Sequence, residues 1–487
     1  LIELRYNGNS ASFLRGFTAA FYGIFKNCIS LGWVILAMLK FSEVMLGGRA
    51  EIALVITAVF ALIHTLMSGI KGVVILDTLH FTVGILSTIL MAILIMTAVG
   101  GPSGLALKLS LSTEAPPGIT DMLPNLGHIT LLEMIGFICL ILILWLGQAQ
   151  GDGFIVQRLF SAKNEKHAIK ASLWFALAAI VILTWPWIII GLGSIILLPI
   201  SDASDVLLAD PELAYPLMIL KVLPTGFKGL LVAAFMAAFM STVDTHLCWG
   251  GSYVVNDIYK RFLVKGKTPK HYLFISRVSI VFLLLCSSIA AWQMDSIANA
   301  WVYIIEIMSG VAIISMLRWF WWRINAWSEI TSMVTALLLA NGSFISKTIY
   351  FFDFININQL HQIQFYYDID HALIRAAVIL IVSTLMSLLV TFLTKPVENN
   401  RLLAFYKKVK PMGWWQPIAL QAPEIMIPQV AKTSWLGFGF GVIFLNSVLF
   451  SVGHLVLGHY LIAFMLIVIA IISGRITLRQ VENATTE

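Results

Sequence analysis

The sequence predicts an all-α, polytopic membrane protein, and three observations carry that reading. Apolar residues make up 59% of the 487-residue chain, charged residues only 11%, and mean hydropathy is +0.91. No water-soluble core needs that much apolar surface. The apolar residues also gather into stretches near the 20 residues that a helix needs to cross a bilayer. Finally, Lys and Arg concentrate in loops that all fall on one side when the stretches alternate across a membrane.

Taken in order, about twelve transmembrane helices are expected, with cores at residues 17–43, 51–69, 73–99, 129–150, 170–198, 217–250, 274–292, 296–318, 328–350, 372–394, 434–454 and 458–474. Arg158, Lys163, Lys166 and Lys170 fill one loop; Lys260, Arg261, Lys265, Lys267 and Lys270 fill another. Arg318 with Arg323, Lys407 with Lys408 and Lys410, and Arg475 with Arg479 mark three more, while the acidic segment 201–212 falls on the opposite side. The positive-inside rule then makes both ends of this chain cytoplasmic, in a plasma (inner) membrane. The basic balance, with a pI near 9.0, comes from these loops and not from a nucleic-acid footprint. No soluble domain is expected. Residues 395–432 contain amphipathic sequence around Leu402–Tyr406 and Trp414–Trp415 that suits an interfacial helix, and Trp319, Trp321 and Trp322 resemble an interface belt. Cys28, Cys139, Cys248 and Cys286 lie in apolar runs without paired spacing, which suits buried thiols and neither disulfides nor zinc.

Polar residues inside the apolar runs carry the functional signal. Residues Ala237–Thr245 read AAFMSTVDT within a long apolar helix. Ser241, Asp244 and Thr245 fall at i, i+3 and i+4, so their oxygens share one face. An ionised Asp at a bilayer centre costs about 2.5–3.5 kcal/mol on insertion scales. Hard oxygen ligands suit a small hard cation such as Na⁺; Ser and Thr also glue membrane helices together, which is the structural alternative. Asp77, in GIKGVVILDTLHF, is either a solvated interfacial carboxylate or a second ion ligand facing that helix. Two carboxylates meeting without a cation would leave one protonated, so proton coupling stands beside sodium. GQAQGDG (Gly147–Gly153) interrupts a helix, either exposing Gln148 and Gln150 to a pocket or simply ending the span. Lys26 and Asn27 interrupt another run, where a cavity-facing role is reasonable. Glu306 is a third intramembrane carboxylate, packed against a polar neighbour or lining a path. His64 and His80 read as hydrogen-bonded interior histidines, since no complementary ligand set accompanies them.

Four stretches resemble the sodium:solute symporter family, which includes sodium–glucose, sialic-acid and proline cotransporters. They are LIELRYNGNSASFLRGF (1–17), GIKGVVILDTLHF (69–81, with His80 where Gln is usual), GDGFIVQRLFSAKNEKHA (151–168), and LPTGFKGLLVAAFMAAFMSTVDT (223–245) continuing to VVNDIYKRF (254–262). The resemblance implies a LeuT-type inverted repeat of five plus five helices. Residues 1–100 would hold core helices three to five, residues 101–325 core helices six to ten, and residues 326–487 peripheral helices. Core helices one and two would be missing, making this an N-terminally truncated fragment that does not transport as it stands.

By the same resemblance, one sodium site would use the Ala238 carbonyl with the Ser241 and Thr242 hydroxyls, and a further one Asp77, Ser241, Asp244 and Thr245. Asn27 matches a sugar-contacting Asn of galactose-transporting members. Gln148 stands where those stack an aromatic ring, Trp145 and Ala179 replace an Asn and a Lys, and Trp301 takes a usual Gln position. Asn27, Gln148, Gln150, Trp301 and Glu306 are therefore the substrate candidates. The function expected is sodium-coupled symport of a small polar organic solute (sugar, polyol or organic acid), without a cofactor and without catalysis. A proton-coupled transporter is the alternative, ahead of a solute sensor or a membrane redox subunit.

Overall fold

Hydrocarbon offers no partner to a backbone N–H or C=O, so a chain of this composition can satisfy its main chain in lipid only as helix or closed barrel. The computed structural model describes residues 2–123, 130–131, 134–138, 141, 153–199, 205–342, 372–423 and 430–484, and these are almost wholly helical. Among the described residues, nine helices are long and apolar enough to cross a membrane, and Glu51–Leu66 and Ala326–Ala340 are shorter apolar helical stretches. The expected span at 129–150 lies largely outside the described residues, as do Gln148 and Gln150.

Two boundaries differ from expectation. The spans expected at 51–69 and 73–99 form one unbroken helix, Ala50–Val99. No proline falls within it, and Gly69 and Gly72 lower helix propensity without removing a hydrogen-bond donor. It stops at Gly100, whose φ of +95° is the left-handed conformation a helix terminus favours in glycine. The span expected at 217–250 is cut instead. Leu223, held extended before Pro224 at ψ 138°, separates Ala214–Val222 from Thr225–Tyr253. Three π-helical segments, Ala19–Lys26, Ala178–Ile182 and Val254–Leu263, carry no signature in the hydropathy pattern.

The chain divides into two compact units. The first comprises Leu1–Trp33, Gly127–Gly153 and Leu247–Ile427. Its centre is Ile297–Phe320 packed with Ala326–Ala340 and Ala372–Leu393, where small residues let the backbones approach. A Cβ on Gly310 would lie 2.6 Å from Ala336 Cβ and 2.7 Å from Ser383 Oγ. Ser309 donates to the Ala376 carbonyl (3.0 Å), and Thr391 to Ser328 Oγ (2.7 Å). At one end Arg5, only 1% exposed, donates to the Trp321 carbonyl at 2.9 Å and lies over the rings of Tyr6, Phe405 and Trp415. Tyr6 donates to Glu329, which also pairs with Arg318 at 3.2 Å.

That cluster changes the reading of residues 395–432. The amphipathic helix Asn399–Val409 is present, but Leu402, Phe405 and Tyr406 face protein and are buried. Of the expected tryptophan belt, Trp319 accepts from Trp415 Nε1 at 2.9 Å and Trp321 bridges to Trp414 through the backbone. Trp319 and Trp415 pack on Phe405, and Arg5 lies over Phe405 and Trp415, because a buried guanidinium needs ring faces and carbonyls around it.

The second unit comprises Val34–Leu126, Phe154–His246 and Pro428–Glu487. Ala50–Val99 packs closely on Thr184–Leu197, where a Cβ on Gly193 would lie 2.3 Å from Ile95 Cγ2. Lys40 is held by Asp210 at 2.7 Å and Glu212 at 2.6 Å. Val430–Val456 and Tyr460–Ala484 form a helical hairpin turning at Gly458 (φ +83°), fixed by Trp185 Nε1 donating to the Leu449 carbonyl (2.8 Å).

Candidate functional site

The intramembrane carboxylates of the second unit lie on two of its helices. Thr225–Tyr253 carries Ser241, Asp244 and Thr245 on one face, and Ala50–Val99 carries His64, Thr65 and Asp77. Ser241 donates its hydroxyl to Asp77. Three residues further along, Asp244 meets Thr65, which donates to its Oδ1, and His64, whose Nδ1 lies against its Oδ2. The contacts pair 77 with 241 and 64–65 with 244, so the two helices run antiparallel here.

Asp244 is 2% exposed, as a carboxylate in hydrocarbon must be if it is to keep polar partners. Among the described residues its hydrogen-bond partners are one hydroxyl and one imidazole. Asp77 is half-buried against Ser241. Thr242 donates to the Ala238 carbonyl at 2.9 Å. That carbonyl also accepts the Thr242 backbone N–H within the helix, so both of its lone pairs are engaged. A cation there would take the place of the Thr242 hydroxyl proton; the hydroxyl oxygen keeps lone pairs of its own. The structure thus brings Asp77 to Ser241, and Thr242 to Ala238, while Asp244 is held by His64 and Thr65.

Thr65 was not among the residues singled out from sequence. A hydroxyl in an apolar helix most often bonds its own backbone, and Thr65 also lies 2.8 Å from the Ala61 carbonyl. His64 was expected to be hydrogen-bonded within the interior; the carboxylate opposite it is the residue that sequence spacing could not name. His80 Nδ1 is buried without a hydrogen-bond partner among the described residues. Carboxylate and hydroxyl oxygens are hard donors, which suit a hard cation.

The substrate candidates that are described belong to the first unit. Asn27 is fully buried, and a Cβ on Gly250 would lie 2.4 Å from its Nδ2. Beside it, Lys26 Nζ sits 5.6 Å from the Trp249 ring centre and 5.8 Å from that of Tyr22. Trp301 is half exposed. Glu306 is buried and its carboxylate is engaged by Arg375 Nε at 2.8 Å, which supplies the polar neighbour that sequence left unnamed.

The described residues thus define a multi-pass helical membrane protein in which oxygen donors of two apolar helices meet. The chain belongs to the sodium:solute symporter family, whose profile matches residues 3–350. It is 25% identical to the sodium/glucose cotransporter of Vibrio parahaemolyticus over 363 residues, 70% of this chain and 64% of that one. It is 31% identical to the sodium/myo-inositol cotransporter 2 of Oryctolagus cuniculus over 222 residues, 41% of this chain and 32% of that one. The chain therefore spans less than two thirds of the length of these relatives. Its structure is similar to the substrate-bound, outward-open state of a Na⁺-coupled sialic acid symporter (TM-score 0.57, 21% identity), covering 82% of this chain and 77% of that one. That likeness establishes the expected LeuT-type fold.

Proposed function

We propose that the protein, in its full-length form, is a sodium-coupled symporter of a small polar organic solute and not an enzyme. The observation that carries this is the half-buried Asp77–Ser241 pair, one helical turn along Thr225–Tyr253 from the buried Asp244. A cation arriving at Asp77 takes the place of the Ser241 proton, turning that hydroxyl to present a lone pair. Ser241, Thr245 and the two carboxylates supply one sodium site; the Ala238 carbonyl with Ser241 and Thr242 supplies part of another. The solute class is a sugar, polyol or organic acid, with Asn27, Gln148, Gln150, Trp301 and Glu306 as the candidate contacts. The basic loops of the sequence favour an orientation with both ends of the chain cytoplasmic, and the membrane proposed is the plasma (inner) membrane.

One specific contact favours a second reading. His64 against Asp244 gives that carboxylate a proton-exchanging partner already in place, which suits proton coupling on the same fold. The two readings part in a melting experiment on purified full-length protein, with a panel of sugars, polyols and organic acids in sodium or in choline at several pH values. Stabilisation by a solute only in sodium is the expected outcome. Stabilisation that ignores sodium and follows pH overturns it in favour of the proton.

A further inference from the structure

The cation-rich corner where Gly8–Thr18 meets Val254–Leu263 has no part in that reading. Arg15 Nε binds Asp257 at 2.6 Å and its Nη1 binds Glu3 at 2.5 Å, while Arg261 Nε donates to the other oxygen of Glu3 at 2.9 Å. The two carboxylates thus satisfy the two arginines. Around this core lies a cavity of about 340 Å³ lined by Arg15, Asn256, Lys260, Arg261, Lys265 and Gly266. Lys260 and Lys265 are both exposed, and among the described residues no carboxylate lies within ion-pair distance of either. Lys260 Nζ instead lies 5.1 Å from the Tyr272 ring centre. The cavity therefore carries two more positive charges than negative ones.

Beside it the surface turns to carbon. Phe13, Phe262 and Leu263 are all exposed, and the Phe262 ring spans the gap left by Gly16, where a Cβ would lie 3.0 Å away. A free polar anion in water needs the cations but gains nothing from this apolar flank. An amphiphile uses both.

We propose that this corner binds the headgroup of an anionic phospholipid of the leaflet that the basic loops face. Its phosphate sits between Lys260 and Lys265, and its acyl chains lie along Phe262, Leu263 and Phe13. The Glu3–Arg15–Arg261 network holds the Val254–Leu263 segment so that the lysines face one cavity. Each lysine near such a surface contributes about fivefold in affinity, so losing two costs about 25-fold.

The test measures binding of phosphatidylglycerol to the purified full-length protein by native mass spectrometry, with phosphatidylcholine and inorganic phosphate in parallel. The Lys260→Gln/Lys265→Gln variant should lose about 25-fold in affinity for phosphatidylglycerol while keeping its melting temperature in phosphatidylcholine. Lys267→Gln/Lys270→Gln removes the same charge from the adjoining turn and helix start, outside the cavity, and should cost clearly less than the cavity pair. Equal loss in both variants reduces the effect to general loop charge and overturns the site. Equal binding of phosphatidylcholine also overturns it, and so does displacement of the lipid by inorganic phosphate at equal concentration. Should the first double variant fail to fold, Lys265→Gln alone must still show the fivefold loss. The readout is lipid retention, so the outcome is independent of whether the protein moves sodium.

Discussion

Asp77 and Asp244 differ in what each loses when its charge is removed. Asp77→Asn keeps an acceptor for the Ser241 hydroxyl, so sodium-free stability should change by less than about 1 kcal/mol. Its sodium affinity should fall about tenfold or more, since the formal charge facing the ion is gone. Asp244→Ala removes the acceptor that Thr65 and His64 share; Thr65 falls back on the Ala61 carbonyl but His64 loses its partner, costing about 1–3 kcal/mol even without sodium. Sodium titrations of the melting temperature on both variants separate the effects; an Asp77→Asn protein with wild-type sodium affinity removes Asp77 from the site. Outside the membrane, Glu3 titrates instead. Burial pushes its carboxyl up, but hydrogen bonds and charge from Arg15 and Arg261 outweigh that and hold it below the ordinary carboxylate range. A carboxyl lowered in the fold stabilises fully above its unfolded pKa of about 4.3, and loses that contribution as pH falls through the folded value. Glu3→Gln should therefore be less stable than the parent near neutrality, and the two denaturation curves should converge as the medium is acidified below about pH 4. A gap that persists there assigns the loss to packing.

Glycines separate tight from open faces within one helix. A Cβ on Gly250 would lie 2.4 Å from Asn27 Nδ2 and 2.8 Å from the Gly23 carbonyl, and backbone cannot step aside. Gly250→Ala should cost about 1–3 kcal/mol through forced separation of Thr225–Tyr253 from the chain around Gly23 and Asn27. Gly229, on the same long helix, has nothing within 4 Å of its added Cβ, so Gly229→Ala should raise stability by about 0.4–1 kcal/mol by restricting the unfolded chain. Melting temperatures in one detergent decide both; a neutral Gly250→Ala would mean that Thr225–Tyr253 does not pack tightly on Gly23 and Asn27. The π-helical segments were not legible in the sequence, because the extra residue per turn answers to the neighbour packed against it and not to hydropathy. The break at Pro224 was legible in principle, since a residue before proline avoids the helical region. Hydropathy alone read through it, as it split Ala50–Val99 where Lys71 lowered the local average without breaking the helix.

At the scale of the whole molecule, class and fold were open to the sequence because crossing a bilayer constrains every residue in a span. The candidate ion site was partly open for the same reason: Asp244 in AAFMSTVDT has to be explained. Thr65 and the Arg5 cluster were closed to it, since their partners are 179 and 316 residues away and no spacing announces them. The remaining question at this scale is how many ions accompany one solute, and energetics makes it measurable. A charge crossing about 100 mV contributes about 2.3 kcal/mol, and a tenfold sodium gradient about 1.4 kcal/mol more. One sodium then supports roughly a 500-fold solute gradient, and two roughly a 10⁵-fold one. If Asp77 and Asp244 complete a second site beside the one at Ala238, Ser241 and Thr242, full-length protein in proteoliposomes should accumulate solute well beyond about 1000-fold under those gradients. Asp244→Ala should bring that ceiling down to the single-ion value and lower the sodium Hill coefficient toward one. Ser241 belongs to both sets, so Ser241→Ala should weaken both ions and abolish accumulation instead of halving the driving force. An Asp244→Ala protein that keeps the two-ion ceiling would confine Asp244 to its contacts with Thr65 and His64.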